Sequence, residues 1–301
     1  VSDVIKEGNK ITGIKTDQGE TLFADCVLAC DGVNSLLAQK AGLHKEWEPS
    51  DAALAVKEVL TLPREKIEDR FNLEGNEGCA IEFMGTISKG MVGIGFLYTN
   101  KDSLSLGIGC LLSDYQQSLI KPYELIEEVK SHPLIRRLIA GAETEEYLAH
   151  LIPEGGFYRV PEVVADGMLV CGDAALLVNS IHREGSNLAM KSGIFAAETV
   201  IEAKKRNDFS AATLSLYRKK LNESLVMQDL KKYRNLPQFL HKRKELFSRY
   251  PLLASEIAYE LIRVDGQAKS LKEKKIIKKI FKTNSLFGWG KFAFDAWRAT
   301  R

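Results

Sequence analysis

Polar and apolar positions alternate with period two in four runs, residues 53–60, 79–84, 91–98 and 103–111. Side chains of a strand point to opposite faces in turn, so this alternation predicts four strands. The short turns between them, rich in Gly, Asn and Lys-Asp, predict an antiparallel sheet. The start of the chain alternates as well: residues 1–5, 11–16 and 20–23, around turns at Gly8-Asn9 and Asp17-Gln18-Gly19, predict a hairpin and a third strand. Two unbroken apolar runs, within residues 24–30 and 168–171, have the length of buried strands, and each ends on a glycine–acid pair. Helical spacing marks residues 122–130 and 134–140, the latter with Pro133 in its first turn, then a long pattern from Gly185, and residues 214–233, 236–247, 252–262 and 271–281. Residues 144–152 return as a strand towards Pro153-Glu154-Gly155-Gly156, where the glycine pair suits either a close backbone approach to a ligand or a plain return turn.

Charge divides the chain in a way that its formal net charge of +2 conceals. Residues 201–301 hold 24 Lys and Arg against 10 Asp and Glu, whereas residues 1–200 hold 18 against 30. No nucleic-acid-binding motif accompanies the basic end. Its lysines alternate instead with Ile276, Ile277, Ile280 and Phe281, and Trp289 and Trp297 follow, which suits an anionic membrane surface or an acidic protein partner through residues 270–301. The 301 residues suffice for one large or two modest domains. The cysteines, Cys26, Cys30, Cys79, Cys110 and Cys171, lie mostly within apolar runs and lack paired CxxC spacing, so no disulfide framework, zinc site or iron–sulfur site is expected and a reducing cytoplasm fits. No apolar stretch reaches the roughly 18 residues of a membrane span. The expected location is cytoplasmic, with peripheral contact at the inner membrane face.

The chemistry concentrates in residues 168–200. A short strand breaks at Gly172-Asp173, a loop runs through Ile181-His182-Arg183-Glu184, and a helix begins at Gly185. Gly172 lets backbone approach a ligand, and Asp173 stands where a carboxylate accepts hydrogen bonds from hydroxyls at the carboxyl edge of a sheet. The first amides of the helix, at Gly185, Ser186 and Asn187, are unpaired donors at the positive end of a helix dipole. A second strand of this kind ends on Asp31-Gly32 and runs into a helix start at Leu36 and Leu37.

The stretch HLIPEGGFYRVPEVVADGMLVCGDAALLVNSIHREGSNLAMKSG, residues 150–193, resembles the FixC group of FAD-dependent oxidoreductases. These are relatives of electron-transfer-flavoprotein:quinone oxidoreductase and of geranylgeranyl reductase, with the p-hydroxybenzoate-hydroxylase type of fold. The resemblance implies FAD as cofactor, with Asp31, Gly32, Gly172, Asp173, Gly185, Ser186 and Asn187 as contacts. It places His182 and Arg183 beside the flavin ring as catalytic candidates, a cation there favouring negative charge on the flavin; both otherwise face solvent or pair with Glu184. The arginine that such families carry soon after the serine of the Asp-Gly motif is absent from Leu36-Leu37-Ala38-Gln39-Lys40. A G-x-G-x-x-G sequence is also absent, and the chain reads as a fragment lacking its first dinucleotide-binding unit.

The fold class expected is mixed α/β (α+β). Residues 1–50 and 150–206 would form part of an FAD-binding Rossmann-like domain, residues 51–149 an antiparallel substrate-domain sheet, and residues 207–301 a basic helical C-terminal region. The function implied by the resemblance is electron transfer from an electron-transfer flavoprotein through FAD to quinone, with a small ferredoxin as a further partner. Two alternatives stand beside it: reduction of isoprenoid double bonds in the manner of geranylgeranyl reductase, and a non-catalytic, cofactor-free interaction module.

Overall fold

The computed structural model describes residues 1–44 and 46–300. In chain order, β1 (Asp3–Glu7), β2 (Lys10–Lys15) and β3 (Thr21–Phe23) form an antiparallel meander, and β4 (Val27–Ala29) leads into α1 (Leu36–Ala41). Next come β5 (Ala52–Thr61), α2 (Arg64–Phe71), β6 (Ala80–Phe83), β7 (Gly93–Thr99) and β8 (Ser103–Leu111). Three helices follow, α3 (Leu112–Ser118), α4 (Pro122–Ser131) and α5 (Pro133–Leu138), then β9 (Glu143–Pro153), β10 (Val164–Ala165) and β11 (Met168–Val170). The rest is helical: α6 (Ser186–Arg206), α7 (Ala211–Glu223), α8 (Leu225–Lys232), α9 (Leu236–Lys242), α10 (Arg249–Ile262), α11 (Lys269–Thr283) and α12 (Leu286–Ala299). The mixed α/β architecture, the antiparallel sheets and the helical C-terminal part are those the sequence patterns predict.

Two compact units result, one of Val1–Ala52 and Ile152–Pro237 with the chain end from Ala299, the other of Ala53–Leu151 and Gln238–Arg298. The boundary at Pro237 falls inside the stretch expected as one helical region from residue 207. In the first unit β11 lies between β10 and β4, antiparallel to the former and parallel to the latter. Met168, Leu169 and Val170 are wholly buried in a core shared with Leu188, Ala196 and Ala203 of α6 and with Leu214, Tyr217 and Leu221 of α7. Each such aliphatic side chain contributes about 1.5–3 kcal/mol through burial. Tyr217 is fully buried and satisfies its hydroxyl by donating to the Val170 carbonyl at 2.8 Å.

The second unit holds the five-stranded sheet, in the order β6-β7-β8-β5-β9. β5 and β8 pair antiparallel over nine positions, from Ala53 opposite Leu111 to Thr61 opposite Ser103. One face carries Val56, Leu60, Leu97, Leu104, Leu106 and Ile108 into a core with Leu125, Ile126 and Val129 of α4. The same face buries Glu58, which accepts from Lys130 Nζ at 3.0 Å and from Thr144 Oγ1 at 2.9 Å. The other face is built of small residues and flat rings: Phe96 and Tyr98 stack at 4.9 Å, and a Cβ on Gly107 would lie 2.2 Å from the Phe96 ring.

Several helices depart from expectation. α2 and α3 were not anticipated, because α2 buries only Ile67, and α3 only Asp114 and Tyr115, too little for a periodic stripe. The pattern over residues 214–233 predicts one helix, but Ser224 is extended and its hydroxyl accepts from the Val226 amide at 3.2 Å, ending α7 and capping α8. The pattern over residues 236–247 likewise divides into α9 and a 3₁₀ turn at Lys244–Phe247. α12 was unanticipated because Gly288 and Gly290 interrupt its pattern. Ser285 Oγ accepts from the Gly288 amide at 3.0 Å, and a Cβ on Gly288 would collide with the Asn284 side chain. The glycine pair Gly155-Gly156 serves the return turn: Gly156 has φ +63°, and a Cβ on Gly155 would strike the Arg159 side chain. Arg159 closes that turn by pairing with Asp51 at 2.8 Å and Glu48 at 3.4 Å.

Candidate functional site

The site grows from one parallel strand pair. Met168 stands opposite Val27 and Val170 opposite Ala29, and the Cys171 amide donates to the Ala29 carbonyl at 2.9 Å. This register brings both glycine–acid turns, Asp31-Gly32 and Gly172-Asp173, to the same carboxyl edge of the sheet, the place where nucleotide ligands bind in open α/β folds. A buried hydrogen bond ties the segments that follow the two turns: Ser35, in the left-handed region at φ +48°, donates from Oγ to the Ala174 carbonyl at 2.6 Å. Sequence reasoning missed Ser35, since only the register reveals its partner.

The two acids are placed differently. Asp31 is exposed, and its Oδ2 accepts from the Leu37 amide at 2.8 Å, so one carboxylate oxygen anchors the start of α1. Gly32 has φ +73° and open space where a side chain would begin. Gly172, at φ +59°, packs against α6, where a Cβ would lie 3.0 Å from that of Ala189, and its amide donates to Ser192 Oγ at 2.9 Å. Asp173 is half-buried, and its Oδ1 lies 3.9 Å from the point where a Cβ on Gly185 would stand. Its carboxylate is therefore at the N-terminal end of α6, as the sequence spacing implies.

Gly185, the residue before α6, supplies no side-chain cap, and Ser186 and Asn187 are exposed at that end. The loop before it closes through Asn179 and Glu184, which exchange backbone hydrogen bonds of 2.8 and 3.1 Å. Asn179 is 2% exposed; its Oδ1 accepts from the His182 amide at 3.3 Å, but its Nδ2 is buried without a partner. Leaving such a donor unmade costs about 1–3 kcal/mol, so Asn179 is fitted to an acceptor supplied from outside the chain. His182 and Arg183 project from this loop and are both exposed. The His182 ring packs 4.8 Å from that of Tyr233, and Arg183 Nη1 donates to the Ile181 carbonyl at 3.3 Å. Open space over Gly32, the exposed first turn of α6 and the unpaired Asn179 amide together fit a ligand with hydroxyls and carbonyl oxygens, as a flavin nucleotide has.

Glu154 enters beside this loop. Burial pushes its carboxyl up to about 7, and a hydrogen bond with Ser180 pulls the other way. The folded chain therefore keeps a proton to about pH 7 that an unfolded glutamate loses near 4.5. Stability from this group is complete below the unfolded value, falls as pH rises through the window from 4.5 to 7, and is level above it. Glu154→Gln should abolish this part of the decline, checked by denaturant midpoints at several pH values; parallel profiles for both proteins would mean that the carboxyl titrates normally.

The family profile described as the ETF-QO/FixC family C-terminal domain matches residues 236–301. The FixC protein of Azotobacter vinelandii is 52% identical over 299 residues, covering 99% of this chain and 69% of the relative. A probable electron transfer flavoprotein-quinone oxidoreductase of Escherichia coli, YdiS, is 42% identical over 269 residues, covering 89% of this chain and 62% of the relative. Among solved structures, a geranylgeranyl bacteriochlorophyll reductase-like protein of Thermoplasma acidophilum superposes with a TM-score of 0.62 at 20% identity, over 80% of this chain and 59% of that one. The chain thus spans about two thirds of the length of its relatives, and at this level of identity it belongs to the ETF-QO/FixC family of flavoprotein oxidoreductases.

Proposed function

We propose that the chain serves an FAD-dependent oxidoreductase that passes electrons from an electron-transfer flavoprotein to a quinone, with a small ferredoxin as a further partner. The observation that carries the flavin site is the parallel pairing of β4 and β11, which sets Asp31-Gly32 and Gly172-Asp173 at one edge, with Asp173 beside the start of α6. Bound there, FAD would supply the electron chemistry, and the protein's part is binding, orientation and electrostatics. Asp173 accepts from ribityl hydroxyls, Gly32 admits close backbone approach while Gly172 seats the turn against α6, and the amides of Gly185, Ser186 and Asn187 with Asn179 Nδ2 donate to carbonyl oxygens. Arg183, on the same loop, adds positive charge near the ring, and His182 stands beside it. The donor and acceptor follow the name of the YdiS relative. The test is anaerobic: FAD-loaded protein, reduced by its electron-transfer flavoprotein, is mixed with a short-chain quinone. Rapid reoxidation supports the reading, and a flavin that stays reduced overturns it.

One feature favours a second reading, reduction of isoprenoid double bonds. In the second unit a cavity of about 800 Å³ opens between β6 and the helices α4 and α5, lined by Ile81, Phe83, Ile87, Val129, Ile135 and Leu138. Ligand pockets span about 300–1,000 Å³, and the apolar part of this lining, which also carries Glu82, Lys89, Glu128, His132 and Arg137, suits a prenyl chain. Consumption of a geranylgeranyl substrate by the reduced protein, with no quinone turnover, would establish it instead.

The basic C-terminal part we assign to an anionic membrane surface. Among the described residues no helix is long and apolar enough to cross a membrane. On α11, Ile276 and Lys272 turn inward, while Ile277 and Phe281 are exposed among Lys274, Lys278 and Lys282, next to exposed Leu286 and Phe287. Trp289 differs from them: it is half-buried, its ring packs 5.0 Å from Tyr250 and its Nε1 donates to the Ile280 carbonyl at 3.3 Å. Trp297 is 49% exposed and stacks on Phe294. Each lysine near such a surface adds about 1 kcal/mol. Sedimentation with liposomes should require anionic lipid, weaken as salt rises, and be lost when Lys274, Lys278 and Lys282 are all changed to Glu. Salt-sensitive binding to the ferredoxin without lipid binding would make the face a protein-docking surface.

A further inference from the structure

The register that joins the two glycine–acid turns also sets two thiols side by side. Cys30 follows Ala29 and Cys171 follows Val170, one step beyond the last paired residues of β4 and β11, and the Cys171 amide donates to the Ala29 carbonyl at 2.9 Å, so the register carries the two thiols to neighbouring positions. Adjacent strands lie about 4.8 Å apart, within the Cα separation of roughly 4.4–6.8 Å that a disulfide spans. The partners are unlike, for Cys30 is exposed and Cys171 is buried. Behind Cys171 stands the hydroxyl of Tyr217, itself fixed on the Val170 carbonyl.

We propose that Cys30 and Cys171 form an oxidisable dithiol, with a hydroperoxide as oxidant, Cys30 as the attacking thiol and Cys171 as the thiol that resolves it into a disulfide. The hydrogen bond from the Cys171 thiol lowers Cys30 to about 7, against opposing burial and the Asp31 carboxylate. Cys171 is pushed up by that same bond and by burial, so it keeps its proton. A thiolate at an exposed position is the reactive form. The Cys30 sulfur attacks one peroxide oxygen, the O–O bond breaks, hydroxide leaves, and a sulfenic acid remains. The Cys171 sulfur then attacks the Cys30 sulfur, the S–O bond breaks, and the departing hydroxide takes the Cys171 proton as water. Two electrons from the pair of sulfurs thereby reduce one peroxide. The bond so formed ties Asp31-Gly32 to Gly172-Asp173. None of this depends on the flavin reading. The remaining cysteines are poorer candidates: burial pushes Cys110 up to about 12 and Cys26 up to about 11, and Cys79 is half-buried in the other unit.

The chain is exposed to a few equivalents of hydrogen peroxide, residual thiols are blocked with N-ethylmaleimide in denaturant, and peptides are read by mass spectrometry. A Cys30–Cys171 linked peptide, lighter by two hydrogens and split by dithiothreitol, is expected. Cys171→Ser should halt the sequence at a Cys30 sulfenic acid that dimedone traps, with Cys30 reacting about tenfold faster than Cys110. Cys30→Ser, an exposed and volume-neutral change, should show neither product, and circular dichroism checks its fold. Recovery of both cysteines as maleimide adducts after peroxide, or dimedone labelling that favours Cys26 or Cys79, would overturn the proposal.

Discussion

Gly167→Ala should lower stability by about 3–4 kcal/mol, far more than a glycine-to-alanine change in an ordinary turn. Gly167 links β10 to β11 at φ +73°, and a Cβ there would lie 2.1 Å from the Ile11 carbonyl oxygen. The turn cannot move away freely. The Gly167 amide donates to the Phe209 carbonyl at 2.9 Å, its own carbonyl accepts from Val27 at 2.8 Å, and the Ile11 amide donates to Asp166 at 2.8 Å. Left-handed backbone costs an L-residue about 1–2 kcal/mol, and forcing apart packed backbone adds about 1–3 kcal/mol. Gly8→Ala separates the two effects. Gly8 has φ +61° but nothing within 4 Å of a Cβ, so it should lose only the first, about 1 kcal/mol. Urea midpoints of the two variants measure the difference. Equal losses would mean that the Gly167 turn is not clamped between β2 and β4, and the scaffold that positions the Gly172-Asp173 turn would be looser than described.

Much of this scaffold is legible because its signals are local. Period-two alternation over residues 53–60 and 103–111 reports a sheet with one buried face, and the structure pairs these strands from Ala53 and Leu111 through Thr61 and Ser103. Gly8-Asn9 and Asp17-Gln18-Gly19 mark the turns of the meander because few other residues adopt such backbone. The glycine–acid turns are legible for the same reason, as apolar runs that stop abruptly on Asp31-Gly32 and Gly172-Asp173. Their meeting at one edge is not, because nothing local to either strand encodes a parallel register between β4 and β11. Every residue whose part depends on that register was therefore invisible: Ser35 with its bond to Ala174, and Cys30 beside Cys171, which the spacing of cysteines along the chain argues against pairing. Asn179 was missed for a different reason. An asparagine in a loop ordinarily suits a turn, and only its burial with an unpaired Nδ2 makes it a binding candidate. At the C-terminal end, composition read Trp289 as a membrane anchor, whereas the structure packs it half-buried against Tyr250 and Phe292. Aromatic and lysine content is the same in either case, so only packing decides.

Asp173→Ala should weaken FAD binding about 10- to 100-fold, while leaving the fold intact. The expectation follows from geometry: Asp173 begins just past β11, is half-buried, and holds its Oδ1 close to Gly185 at the start of α6. A hydrogen bond between an ionised carboxylate and a ligand hydroxyl contributes about 1.5–3 kcal/mol. The loss of 10- to 100-fold is that range expressed as affinity, at about 1.4 kcal/mol for each factor of ten. Stability should change less, because three backbone-centred contacts hold the turn whatever this side chain does. Gly172 donates its amide to Ser192, the Leu176 amide donates to the Asp173 backbone carbonyl at 3.0 Å, and Ala174 receives the Ser35 hydroxyl. Asp173→Asn supplies the control for charge, since it keeps an acceptor of the same shape and should bind with intermediate affinity. Calorimetric titration with FAD, alongside thermal unfolding of each apoprotein, distinguishes the roles. Should Asp173→Ala bind FAD as tightly as the unaltered protein, the carboxylate would belong to the turn alone, and the flavin contact at this edge would have to come from backbone and from Asn179.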